Sequence, residues 1–195
     1  KIADKNGIPF CLSTVATCSL EDIDRQDKFS SKSKWFQLYP PKDLDILESL
    51  LTRAKNSGFS TLVVTVDIPA PSRRERSKHA GLNLPLKFSP KLILDGLSHL
   101  KWTIATIKNG LPRLKTVESY ANNNSLKFVS KFVGNRLGGV IDWEYVELIR
   151  SKWEGPMILK GVLHPEDAIK AKQVGCDSVY VSNLGARPFD GGVSP

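Results

Sequence analysis

Five short apolar runs, separated by stretches of helical period, constrain this chain more than any other feature. Residues 7–14, 35–39, 61–67, 157–162 and 178–182 read as strands. Between the second and third, residues 43–57 put Leu44, Leu47, Leu50, Leu51 and Ala54 on one helical face, with Gly58 beyond its end. Ser19 to Asp22 has the pattern of a capping box at a helix start. Asp142 precedes a helix carrying Val146, Ile149, Arg150 and Trp153, and residues 165–174 form another with proline in its first turn. Strands joined by helical crossovers lie parallel and wind in one hand. Strands that are apolar almost throughout are buried on both faces.

A doubly wound sheet and a barrel both satisfy this pattern. No Gly-x-Gly-x-x-Gly follows the first strand, which counts against a dinucleotide fold. Polar residues at the strand ends favour the barrel, which keeps its active site at the carboxyl ends of its strands. Gln37 and Tyr39 are two apart and share a face, as do Thr65 and Asp67. Lys160 sits in the otherwise apolar run from Ile158 to Val162. An ammonium is costly to desolvate there, so it needs an anionic or electron-rich partner. A TIM (β/α)8 barrel takes eight strands and about 250 residues. The chain, residues 1–195, is therefore expected to be an internal part of one α/β barrel domain, with about five parallel strands and a helical insertion at 70–139.

The net charge of +8 is unevenly placed. Residues 70–139 hold thirteen Lys/Arg and three Asp/Glu, leaving fifteen and seventeen elsewhere, so the basic excess belongs to the insertion. That insertion interleaves Leu92, Ile93, Leu94, Leu97, Leu100, Trp102, Ile104 and Ile107 with Lys91, Lys101 and Lys108. Such a surface suits anionic lipid; a lid folded over the barrel is the other reading. No nucleic-acid motif accompanies the charge, so no nucleic-acid partner is expected. Cys11, Cys18 and Cys176 show no metal or redox spacing, which fits a reduced intracellular protein without a metal site. No apolar run approaches the roughly 20 residues of a membrane span. Lys1 opens on helix-like sequence with no signal-peptide pattern.

Six blocks then stand in order: Leu12-Ser13-Thr14-Val15, Trp35-Phe36-Gln37-Leu38-Tyr39, Thr65-Val66-Asp67-Ile68-Pro69, Arg73-Arg74-Glu75, Ile158-Leu159-Lys160-Gly161-Val162, and Val181-Ser182-Asn183-Leu184-Gly185-Ala186-Arg187. Together they resemble the FMN-dependent 2-hydroxy-acid dehydrogenase and oxidase family. The first block, and the run from Ile158 through Leu163-His164-Pro165-Glu166-Asp167-Ala168, are most similar to bacterial L-lactate dehydrogenases. The resemblance implies oxidation of a small L-2-hydroxy acid, lactate first, with FMN as cofactor and a quinone or oxygen as electron acceptor. It implies that Ser13, Gln37 and Thr65 hydrogen-bond the flavin ring and that Lys160 sits where negative charge develops on reduction. It implies that Tyr39 meets the substrate oxygen and that Arg187, assisted by Arg74, grips the substrate carboxylate. It likens the insertion to one associated with the membrane. A cytoplasmic protein, peripheral on the inner face of the cell membrane and homo-oligomeric when complete, is expected. Residue chemistry alone leaves plainer readings open. Ser13 and Thr65 are also ordinary strand-end polar residues, Tyr39 a rim aromatic, Arg73 and Arg74 a solvated run, and Asp67 with Lys160 a structural ion pair.

One position departs from the pattern. The family's segment after this strand reads Ser-Asn-His-Gly, and its histidine takes the substrate proton while paired with the residue matching Asp67. Here that position is Leu184. Leucine accepts no proton, and a placed general base is worth roughly 10²–10⁴ in rate. The chain is therefore expected to be severely impaired, or to be a non-catalytic flavin or hydroxy-acid binder. His79 and His99 fall in the insertion, and His164 reads as a helix-start residue. The family's phosphate loops lie on strands beyond this stretch, so 195 residues alone are expected to hold FMN weakly.

Overall fold

The computed structural model describes residues 2–25, 34–68, 94, 96–110, 112–121, 126–138, 141–186 and 194–195. Five strands form one parallel sheet in sequential order: β1 (Phe10–Ser13), β2 (Lys34–Leu38), β3 (Thr61–Thr65), β4 (Met157–Val162) and β5 (Ser178–Val181). The helices, in chain order, are α1 (Ile2–Lys5), α2 (Leu20–Arg25), α3 (Leu44–Asn56), α4 (Leu100–Asn109), α5 (Leu126–Arg136), α6 (Trp143–Lys152) and α7 (Pro165–Gln173). The sequential parallel order is that of a (β/α)8 barrel begun and not closed. It has no reversal of strand order of the kind that marks a doubly wound sheet.

The helices start where the sequence places their caps. Ser19 and Asp22 form a reciprocal capping box before α2: the Asp22 N–H donates to Ser19 Oγ at 3.0 Å, and the Ser19 N–H to Asp22 Oδ2 at 3.2 Å. Asp43 caps α3 by accepting from the Asp45 N–H, and Asp142 caps α6 by accepting from the Tyr145 N–H. His164 caps α7, its Nδ1 accepting from the Glu166 N–H at 3.3 Å, with Pro165 at the first helical position.

Alternation along the strands divides the sheet into two faces. Leu12, Phe36, Leu38, Leu62, Val64 and Leu159 pack against Leu47, Leu50, Leu51 and Ala54 of α3, Val146 and Ile149 of α6, and Ala171 of α7. The other face carries Ser13, Gln37, Thr65 and Lys160 at its carboxyl edge. Three strands are shorter than the apolar runs suggest. Strand β1 begins at Phe10, and β3 and β5 end at Thr65 and Val181, so Asp67 and Ser182 lie just past their strands. Lys34, which the sequence reading left outside β2, is its first residue and is buried. Its ammonium donates to Asp24 Oδ1 at 3.2 Å and to the Ser57 carbonyl at 3.1 Å, closing the amino end of the sheet.

Candidate active site

The carboxyl ends of the five strands carry two linked rows of polar side chains. On the first three, Ser13 Oγ donates to Gln37 Oε1 at 2.6 Å, and Gln37 Nε2 donates to Thr65 Oγ1 at 2.8 Å. This direction fixes each group's role. Gln37 spends its carbonyl on Ser13 and one N–H on Thr65. Thr65 therefore accepts, and its own O–H has no acceptor among the described residues. Thr14, fully buried, ties the first two strand ends together. Its hydroxyl donates to the Gln37 carbonyl at 2.7 Å and accepts from the Tyr39 N–H at 3.0 Å. Sequence reasoning assigned Thr14 no role; it is the residue that sets the backbone of Gln37 and Tyr39.

The second row is built on Lys160, the register partner of Thr65 on β3 and of Tyr180 on β5. Its ammonium donates to Asp67 Oδ2 at 3.2 Å and to Ser182 Oγ at 3.3 Å, and stands 5.9 Å from the centre of the Tyr180 ring. The anion that a lysine at this position requires is thus Asp67 of the same chain. The pair is sheltered, with the lysine side chain 20% and the aspartate side chain 8% exposed. Gly161 makes the contact feasible. Its φ is +108°, and a Cβ there would fall 2.5 Å from Asp67 Cβ and 2.8 Å from Asp67 N. Asp67 Oδ1 is buried and has no hydrogen-bond partner among the described residues.

Leu184 follows β5 in a tight turn in which Leu184, Gly185 and Ala186 have φ values of 57°, 64° and 57°. A bulky leucine seldom occupies this left-handed region, where histidine is enriched several-fold. The Leu184 N–H donates to Ser182 Oγ at 3.0 Å, and the Ala186 N–H to Asn183 Oδ1 at 3.1 Å. The chain Asp67–Lys160–Ser182–Leu184 is therefore continuous. Six of the expected site residues, Ser13, Gln37, Tyr39, Thr65, Asp67 and Lys160, gather at or just past the strand ends, with Leu184 beyond β5. Arg73, Arg74, Arg187 and His79 lie outside the described residues. Among the described residues no cluster of three or more His, Cys, Asp or Glu side chains could hold a metal ion. Burial pushes the Cys176 thiol up to about 11.

A sequential parallel sheet with polar side chains at its strand ends defines a class, the α/β barrels. The FMN-dependent dehydrogenase family matches over residues 1–195, and the chain belongs to it. A solved structure of (S)-mandelate dehydrogenase, described as a monotopic membrane protein, superposes with a TM-score of 0.90 at 34% identity, covering 99% of this chain and 50% of that one. Mandelate oxidase is 29% identical with a TM-score of 0.68, covering 98% of this chain and 45% of its own. A soluble mutant of the membrane-associated (S)-mandelate dehydrogenase from Pseudomonas putida is 29% identical with a TM-score of 0.73, covering 99% and 47%. The chain thus spans about half the length of these relatives, as part of a TIM barrel. The family's cofactor is FMN. The residues present fit its ring, because Thr65 offers an unspent O–H and Lys160 a third N–H beyond the two that its partners use.

Proposed function

We propose that the complete protein is built to oxidise an L-2-hydroxy acid, lactate first, to the 2-keto acid with FMN, and that Leu184 leaves this chain without the base for that step. When bound, FMN accepts the two electrons and the hydrogen from the substrate carbon. Ser13, Gln37 and Thr65 hold the ring edge, and the Lys160 ammonium offsets negative charge arriving there. Tyr39 orients the substrate oxygen, and Arg187, with Arg74, holds the carboxylate. The hydroxyl proton is left without a protein acceptor at position 184.

One observation carries this reading: a buried Asp67 carboxylate oxygen with no donor among the described residues, linked through Lys160 and Ser182 to a turn whose backbone suits histidine better than leucine. The test is Leu184→His in a chain extended to the relatives' full length. Lactate-driven bleaching of the flavin is expected to rise about 10²–10⁴-fold. No gain would count against the assignment. Mandelate belongs in the same assay because the relatives named above act on it. A larger gain with mandelate than with lactate would move the substrate to the aromatic acid. The second reading, a binder that holds flavin or hydroxy acid without turnover, is favoured by Leu184 itself. It predicts retained FMN and no bleaching before the substitution.

The basic insertion we read as a membrane-surface element. In α4, Leu100, Trp102, Ile104 and Ile107 are exposed, no side chain is buried, and Lys101 and Lys108 lie among them. A lid packed on the barrel would bury some of these residues. Leu92, Ile93 and Lys91 lie outside the described residues. No described helix is long and apolar enough to cross a membrane. Co-sedimentation with anionic liposomes is expected for the complete protein and is expected to be lost on deleting residues 88–112. A quinone in that membrane, or oxygen, would then take the electrons.

A further inference from the structure

Tyr39 runs directly into two prolines, and the turn they make is held from far along the chain. Pro40 and Pro41 are buried and carry no N–H, so this turn presents two carbonyls and then the Lys42 N–H. All three are met from residues 136–145. The Gly138 N–H donates to the Pro40 carbonyl at 2.9 Å, and the Lys42 N–H donates to the Arg136 carbonyl at 2.9 Å. The Tyr145 hydroxyl, in the first turn of α6, donates to the Pro41 carbonyl 104 positions earlier. Pro41 and Leu137 pair as an isolated antiparallel bridge. Gly138 also touches the stretch after β3. Its φ is +72°, and a Cβ there would fall 3.2 Å from the carbonyl oxygen of Ile68, one residue past Asp67. On the other side, the Tyr39 N–H is held by Thr14 Oγ1 at 3.0 Å. The backbone of Tyr39 is therefore fixed from both directions, from within the sheet by Thr14 and from outside it by residues 136–145. Burial and the nearby Asp43 carboxylate push the Tyr145 hydroxyl up to about 12, so it stays a donor at neutral pH.

We propose that Tyr145 is a positioning residue for substrate binding, whose hydroxyl, with residues 136–138, clamps residues 40–42 and so sets where Tyr39 meets the substrate oxygen. The proposal rests on the role given to Tyr39 above and extends it to a residue given none there. A hydrogen bond weakens steeply once its donor is misaligned, so a small shift of the turn is felt at the one substrate atom that Tyr39 addresses. Because α5 ends at Arg136, the clamp is also the point where the insertion returns to the barrel. The competing role is a plain brace between α6 and the barrel. A brace would serve every ligand at the strand ends alike, whereas a clamp on Tyr39 serves only those that carry the oxygen.

The experiment titrates the full-length, FMN-loaded protein with acids that differ only in that oxygen, reading binding from the shift in flavin absorbance. The pairs are pyruvate with propionate, and benzoylformate with phenylacetate. Tyr145→Phe is expected to weaken the keto acid about five-fold and its oxygen-free partner less than about two-fold. Tyr39→Phe should show the same selectivity, and adding Tyr145→Phe to it should change the ratio no further. Gly138→Asn carries the test if the phenylalanine variant does not fold. Asparagine tolerates the left-handed backbone, and its Cβ displaces the clamp against Ile68 without removing a hydrogen bond, so the same selective loss is expected. Equal weakening of both acids, or of neither, in the Tyr145 and Gly138 variants overturns the proposal, and leaves the role of Tyr39 intact where Tyr39→Phe is itself selective. An unselective Tyr39→Phe, or a wild-type protein that binds none of the four acids, overturns the reading of the substrate site and the proposal with it.

Discussion

Gly161 interrupts β4 directly after Lys160, at the point where the pairing of β4 with β5 skips a residue. An alanine there would meet Asp67 at Cβ, Cγ and backbone N, all within 2.8 Å, and backbone yields little. Gly161→Ala is expected to cost about 1–3 kcal/mol from overpacking, plus about 1–2 kcal/mol from the positive φ. Urea unfolding of the complete protein would register this as a lower midpoint, and a midpoint equal to wild type would contradict the geometry. The position was half legible. Glycine inside an apolar strand signals a bulge or a close backbone approach, but the group that approaches is 94 positions earlier and cannot be read from spacing. Lys160, Gln37 and Asp67 were legible because a charge or amide in an apolar strand needs a partner wherever the fold puts it. Thr14 and Ser182 were not. Their roles depend on which lone pairs are taken, and strand-end hydroxyls are too common to single out.

Among the elements, Arg53 fastens α3 to two neighbours. Its Nε and one terminal nitrogen donate to the Glu21 carboxylate of α2 at 2.7 and 3.1 Å. Its other nitrogen reaches the Thr116 carbonyl at 2.8 Å and the Tyr120 hydroxyl at 3.0 Å, both in the insertion. Thr116 in turn donates to the Cys18 carbonyl. The guanidinium thus joins Thr116, Ser49–Tyr120 and Lys115–Asp22 in holding the insertion's 112–121 stretch to the barrel body. Lysine lacks the planar fork, so Arg53→Lys is expected to loosen that stretch and speed its amide hydrogen exchange; unchanged exchange would mean that Thr116, Tyr120, the Lys115–Asp22 pair and the buried Val117 hold it without the guanidinium. The arginine's hydrogen bonds pull the Glu21 carboxyl from 4.5 down to about 2. A pKa lowered by folding stabilises fully above the ordinary value and is lost as pH falls toward the folded one. Thermal stability should therefore decline between about pH 4.5 and 2 through Glu21, and Glu21→Gln should lack that component. Equal acid limbs in the two proteins would remove Glu21 from the account. The helices and strands were legible through period and caps, whereas residues 112–121 were not. This stretch is held by polar side chains and by the isolated buried Val117, which leave no periodic trace.

At the scale of the whole molecule, the sheet has two open edges among the described residues. Strands β1 and β5 each have one neighbour. On β5, Tyr180 and Val181 are 56% and 53% exposed, in a strand position that a closed barrel covers. An unprotected edge offers a row of N–H and C=O groups to any passing strand. The chain spans about half the length of (S)-mandelate dehydrogenase. The 195-residue chain alone is therefore expected to self-associate, with a light-scattering mass that rises with concentration. It is also expected to lose FMN on ultrafiltration, because on the proposed reading its strand ends hold only the ring, and it spans about half the length of its relatives. A chain extended to the relatives' length should run as one discrete species with flavin absorbance retained. The two measurements separate two contributions. On this reading edge exposure governs association and the length not spanned governs retention, so a short chain that stayed monodisperse yet lost FMN would show that the edges are protected by other means. A short chain that stayed monodisperse and held FMN in equal amount would show that Ser13, Gln37, Thr65 and Lys160 suffice. The barrel's second half would then be needed for turnover alone.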